Sequence, residues 1–179
     1  GGNGAQTRWV EMPNGYVFHE LNAFRDQEEI VLDVCRHESV PDGQILLSSL
    51  PRLHRWRVGT GSTMTFRDEG IIVDRGLEFP QIDRRFTGRA HQHGWCVELR
   101  ENAETLDPGG ICHVDPATGG FTRWDPGVAC QSGEAIFVPG GPSEGEGWLM
   151  AIVYDRAADA SDFVVLDAHD VARGPIAEV

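Results

Sequence analysis

The stretch CHVDPATGGFTRW, residues 112–124, sets two β-rich arms around a centre of Asp, Pro, Thr and Gly. Turn formers flanked by branched and aromatic residues are the chemistry of a β-hairpin, with a glycine supplying the positive φ. A like stretch stands earlier, RWRVGTGSTMTF at 55–66, where Thr60-Gly61 takes the place of Thr118-Gly119. Two such hairpins far apart in one chain suggest a repeated β unit.

Working outward from them, helix-period patterns are nearly absent, and short strands bounded by Gly, Pro and Asp run the whole length. The expected strands are TRWVEM, YVFH, EEIVLDVCR, LHRWRV, STMTF, GWCVEL, GICHV, GFTRW, EAIFV, GWLMAIVYD and DFVVLDA. The fold class is therefore all-β.

After the second arm of each hairpin comes a carboxylate in apolar surroundings. Glu78 in LEFP stands 12 residues past Phe66, and Glu134 in EAIFVP stands 10 past Trp124. The first unit has His19 instead, 10 residues past Trp9. An apolar strand follows each: EEIVLDV, GWCVEL and GWLMAIV. His19, Glu78 and Glu134 thus hold equivalent places, 59 and 56 residues apart. Tandem β units of this kind read as propeller blades, although the period exceeds the roughly 40–50 residues of the simplest propellers.

This equivalence changes the reading of His19. In YVFHELNAF, residues 16–24, alternation puts Tyr16 and Phe18 on one side and Val17 and His19 on the other. Alone, a histidine in such a strand reads as a hydrogen-bonded core residue. At the start of an inner blade strand, however, one imidazole and two carboxylates would converge on the propeller axis. A metal-bound histidine usually gives its other N–H to a carboxylate, so the trio suggests a metal centre with its supporting shell.

Composition narrows the partners. Lys+Arg 15 against Asp+Glu 28 gives a net charge of −13, with no basic run, which disfavours nucleic acid and anionic membranes. The longest apolar runs, such as WLMAIVY at 148–154, are too short for a transmembrane segment. The opening GGNGAQTRW lacks the features of a signal peptide and has no initiator methionine. Cys35, Cys96, Cys112 and Cys130 form no CxxC pair and are expected as reduced thiols in a cytoplasmic protein.

At FHELNAF, LEFPQID, GEAIFVP and EGWLMAIVYD the chain resembles the carotenoid cleavage oxygenase family, which includes apocarotenoid and stilbene dioxygenases and a retinoid isomerase. The resemblance implies a seven-bladed β-propeller, of which residues 1–179 would form a single segment of about three blades. It implies a non-haem Fe(2+) held by four histidines, with glutamates behind three of them. On the matching motifs His19 is carried over as a metal ligand, and Glu78 and Glu134 as carboxylates that orient ligand rings. Arg25, beside Asp26, departs from the family's usual acidic residue at a position that is not a ligand.

The family's other histidine motifs have no counterpart here, so the chain is expected to be a C-terminal portion of a longer enzyme, ending before the last one. The implied activity of that parent is oxidative cleavage of a conjugated C=C bond in an apolar polyene or stilbene, with O2, to two carbonyl products. Two alternatives stand beside it: a non-catalytic propeller piece, or a family member that isomerises a retinoid. The isolated chain is expected to be inactive and to self-associate through its open ends.

The remaining candidates carry less. His91 and His93 would share one face of a strand, a pair without a third ligand. His37, His54, His113 and His169 stand beside turns or charged residues and are expected to be solvated. GGNG and VPGGP lack the helix and Lys-Ser/Thr of a phosphate loop. Asp115 and Asp170 read as hairpin-turn residues, and Trp95 and Trp148 as filling for the blade interior.

Overall fold

The computed structural model describes residues 7–39, 50–62, 64–101 and 107–179. Three antiparallel sheets follow one another along the chain. The first orders β1 (Tyr16–Asp26), β2 (Glu29–His37), β3 (Arg52–Gly59) and β4 (Phe66–Val73) side by side. The second does the same with β5 (Leu77–Gln81), β6 (Gly94–Leu99), β7 (Pro108–Asp115) and β8 (Gly120–Trp124). The third orders β10 (Ile136–Pro139), β11 (Gly147–Asp155), β12 (Ala160–Asp167) and β13 (Pro175–Glu178), with the short β9 (Cys130–Ser132) also paired to β11. Each contains a four-stranded meander of the kind that makes a propeller blade, with β9 a fifth strand in the third. The two helical elements among the described residues are single 3-10 turns.

Period-two alternation explains how the sheets stack. In β6 every residue is buried, because the middle sheet is covered on both faces. Cys96 turns toward the first sheet and packs with Leu21, Cys35, Leu53 and Val73, together with Cys112 and Val114 of its own sheet. Trp95 turns the other way, into a core with Phe137, Leu149, Val164 and Leu166 of the third sheet. Its ring lies parallel to Phe137 at 4.5 Å, and its indole N–H donates to the Ala168 carbonyl at 2.8 Å. A buried tryptophan needs such a partner.

Several local expectations need correction. Residues 7–12, TRWVEM, form no strand, and Trp9 is exposed. The strand expected at STMTF begins only at Phe66 and continues through FRDEGIIV, where Gly70 and two register shifts hide the pattern. Positive φ occurs at Gly119 (74°), as the second hairpin requires, but not at Gly61. Trp148 is 40% exposed rather than interior. Asp115 is the turn residue its sequence implies, its carboxylate accepting from the Ala117 and Thr118 amides and the Thr118 hydroxyl. All four cysteines are free thiols, as expected. GGNG lies outside the described residues.

Candidate functional site

His19 is the fourth residue of β1 and Glu78 the second of β5, the first strands of adjacent sheets. The fold joins them: His19 Nδ1 and Glu78 Oε2 are 2.7 Å apart. The carboxylate side chain is 6% exposed and the imidazole 46%, so the pair has a buried end and an open end. A carboxylate can only accept here, so the ring donates from Nδ1, which in the neutral form leaves the lone pair on Nε2.

Both strands are irregular at these residues. The β1–β2 register shifts between Val17 and Glu20 and again before Asn22, and consecutive Leu21 and Asn22 are both buried. The β5–β6 register shifts between Glu78 and Gln81, and Phe79 sits at φ 54°. For a bulky residue that is a strained conformation, costing of the order of 1–3 kcal/mol. Bulges re-aim side chains next to functional sites. Here the turned Phe79 amide donates to Glu78 Oε2 at 3.0 Å, and its ring lies 5.5 Å from that of His19.

Glu78 also has a second imidazole in view. His37, the last residue of β2, is buried with Nε2 3.5 Å from Glu78 Oε1. Sequence reading placed His37 and His54 in solvent; both are buried, His54 Nδ1 lying 3.3 Å from Asp68. For His37 the cause is the blade stacking, whereas His54 lies on the opposite face of the first sheet, paired across to Val34 and Ile71. His37 shares a strand face with Val31, Asp33 and Cys35, all turned toward the second sheet.

Asn22 ties β1 to the loop at 86–91. Its side-chain amide reaches the carbonyls of Phe86 and Arg89 and the Nδ1 of His91, while its oxygen accepts from the Gly88 amide. His91 is thus a buried member of a network with Asn22 and with Asp33, whose carboxylate is bidentate to Arg55 at 2.7 Å. Burial holds the His91 pKa below that of a free imidazole. His93 departs to a different cluster, 2.8 Å from His113. Both precede β6 in a loop, so the expected strand-face pair does not form.

Glu134 lies two residues before β10, rather than within a first strand as His19 and Glu78 do, and it is exposed and hydrogen-bonded to neither among the described residues. Those residues contain no cluster of three or more His, Cys, Asp or Glu side chains fit for a metal. A cleft of about 490 Å³ is lined by polar and apolar residues that follow His19 in β1 and Glu78 in and just after β5, among them Glu20, Leu21, Asn22, Gln81, Ile82 and Arg84, and by neither member of the pair. No helix among the described residues is long and apolar enough to cross a membrane.

The family model described as retinal pigment epithelial membrane protein matches residues 1–179. The apocarotenoid-15,15'-oxygenase of Synechocystis sp. is 28% identical over 184 residues, covering 98% of this chain and 38% of the relative. The lignostilbene-alpha,beta-dioxygenase isozyme III of Sphingomonas paucimobilis is 31% identical over 191 residues, covering 94% and 39%. The crystal structure of cobalt-substituted Synechocystis ACO superposes with a TM-score of 0.83 at 28% identity, over 98% of this chain and 39% of that one. The chain therefore spans well under half the length of these relatives. With three propeller blades in order and a match along its full length, the chain belongs to the retinal pigment epithelial membrane protein (carotenoid oxygenase) family.

Proposed function

We propose that this chain contributes to a non-haem Fe(II) oxygenase that cleaves a conjugated C=C bond of a carotenoid, apocarotenoid or stilbene to two carbonyl products, with His19 as one iron ligand. The observation that carries the reading is the 2.7 Å contact between His19 Nδ1 and Glu78, with the ring's other nitrogen at the open end. A carboxylate behind one imidazole nitrogen is the arrangement that makes the other a stronger metal donor. The family's cleavage oxygenases, and a relative that accepts cobalt, support it.

Fe(II) bound by neutral imidazoles with an open position would supply activation of O2 toward the alkene. This chain's part is to orient and to exclude water. Glu78 fixes the His19 tautomer and ring plane, Phe79 covers one side of the ring, and Asn22 pins the loop behind. Glu134, carried over from the family motif, would orient a ligand from outside these residues. By itself the 179-residue chain offers one imidazole of the set and is expected to hold no stoichiometric iron.

The test uses the full-length protein. Iron content and product formation from an apocarotenoid and a stilbene are measured for the parent and for His19→Ala, Glu78→Ala and Glu134→Ala. His19→Ala should abolish both, while each Glu→Ala should cost about 10–100-fold. An iron-replete, active His19→Ala enzyme would reduce the histidine to packing.

A further inference from the structure

Glu78 has two carboxylate oxygens, and one of them serves His19. Oε2 accepts from His19 Nδ1 at 2.7 Å and from the Phe79 amide at 3.0 Å. Oε1 is buried and makes no hydrogen bond among the described residues, with His37 Nε2 standing 3.5 Å away, beyond ordinary N–H···O length. The side chains of His37 and Glu78 are 3% and 6% exposed, so water does not compete freely for either. His37 is aimed there by the sheet itself, on the face of β2 that carries Asp33 and Cys35 toward the second blade. Phe18 meets its ring edge-on at 5.5 Å.

We propose that His37 is a positioning residue: it donates from Nε2 to Glu78 Oε1, and so holds the carboxylate that orients His19. A buried carboxylate oxygen is costly without a donor, and a shift of about half an ångström brings this pair to full bond length. A carboxylate held at both oxygens cannot swing about its terminal torsion. Its Oε2 then stays on His19 Nδ1 and keeps the proton there, leaving Nε2 as the donor nitrogen. In water a neutral imidazole prefers its proton on Nε2, so the opposite tautomer at His19 has to be enforced. The proposal rests on reading His19 as a metal ligand for its purpose. Its core, a tautomer imposed through Glu78, is measurable without metal.

The experiment labels the full-length protein with 15N at histidine and reads the ring tautomers of His19 and His37, metal-free, from long-range 1H–15N spectra. His19 should be protonated on Nδ1 and His37 on Nε2. A bare His37 Nε2 cannot donate and would overturn the proposal without any variant. In His37→Phe, which keeps a ring but removes the donor, His19 should drift to the Nε2–H mixture of a free imidazole. His37→Gln, which restores a donor, should bring it back. An unchanged His19 tautomer in a folded His37→Phe chain would also overturn the idea; if that variant unfolds, the wild-type tautomers and His37→Gln decide. Co(II) titration of the full-length protein separates the two claims. His37→Phe should weaken binding about 10-fold. Affinity indifferent to His19→Ala, with the tautomers as expected, would sink the ligand reading and leave the positioning of His19 by His37 intact.

Discussion

Asn22 shows what one residue can do for the site without touching the reacting atoms. Its amide group bridges from β1 to the loop at 86–91 through contacts of 3.0–3.3 Å to Phe86, Arg89, His91 and Gly88. It is 4% exposed, so water cannot replace it. Asn22→Ala should therefore destabilise by about 1–3 kcal/mol for each buried group left unpartnered. Asn22→Asp should be worse, because a carboxylate would face two carbonyl oxygens. Urea midpoints check the size, and amide exchange at residues 86–91 checks the place; unchanged exchange there would refute the assigned role. Asn22 lies within the FHELNAF motif of His19, where the sequence assigns it no role. An asparagine three residues past His19 carries no local signal that its partners lie 64 to 69 residues away. His37 was misread for the same reason: burial by a neighbouring blade leaves no trace in the strand that is buried.

At the scale of elements, hairpins and apolar strands were legible, because turn chemistry and period two are local. Bulges were not. The shifts around His19 and at Glu78–Gln81 break alternation where the site is built, and Phe79 at φ 54° has no glycine to announce it. The contact between the second and third blades was equally hidden. There His113 of β7 and His93 before β6 lie 2.8 Å apart, and His169 after β12 has its ring 4.6 Å from that of His93. Burial, then the neighbouring His93 and His169, lower the His113 pKa from 6.5 to about 4, against a partial opposing pull from Asp115. Burial also lowers His93, opposed by Glu144 and Asp115.

The sign follows from linkage. Between pH 6.5 and about 4 the unfolded chain binds a proton at His113 that the folded chain refuses, so stability falls as pH falls through that window and levels off below it. Allowing for partial exposure, the loss from this group is about 1–3 kcal/mol. His113→Gln should flatten the urea-midpoint profile between pH 6.5 and 4. Asp83 and Asp115, whose hydrogen bonds lower their pKa values, add their own losses only below the ordinary carboxylate range. A profile equally steep in His113→Gln would show that the cluster does not titrate as a unit.

For the whole molecule, the 59 and 56 residue spacing was the legible feature, and it returned as three meanders in order. The same stacking that buries the middle blade leaves an apolar face at each end. On the third blade Ile136, Trp148, Ile152 and Phe163 are 39–56% exposed, on the side opposite the buried Leu149, Ala151 and Val164. On the first, Ile30 and Ile71 are exposed on the face shared with Trp56, Val58 and Phe66. These two faces differ, so one copy's third blade is expected to cover another's first, a head-to-tail contact that need not close. Covering a large apolar side chain fully contributes about 1.5–3 kcal/mol, and several such side chains at each end match the roughly 4–15 kcal/mol cost of association. The charge of −13 opposes contact, but at physiological salt its reach is about 8 Å, while burial acts at contact. The 179-residue chain on its own should therefore self-associate at tens of micromolar, more strongly as salt rises. Ile152→Lys paired with Phe163→Lys, opposite each other on β11 and β12, should lower the mass measured by light scattering toward one chain. A clean monomer of the unsubstituted chain at that concentration would refute the argument, and an unchanged mass in the double variant would move the contact elsewhere.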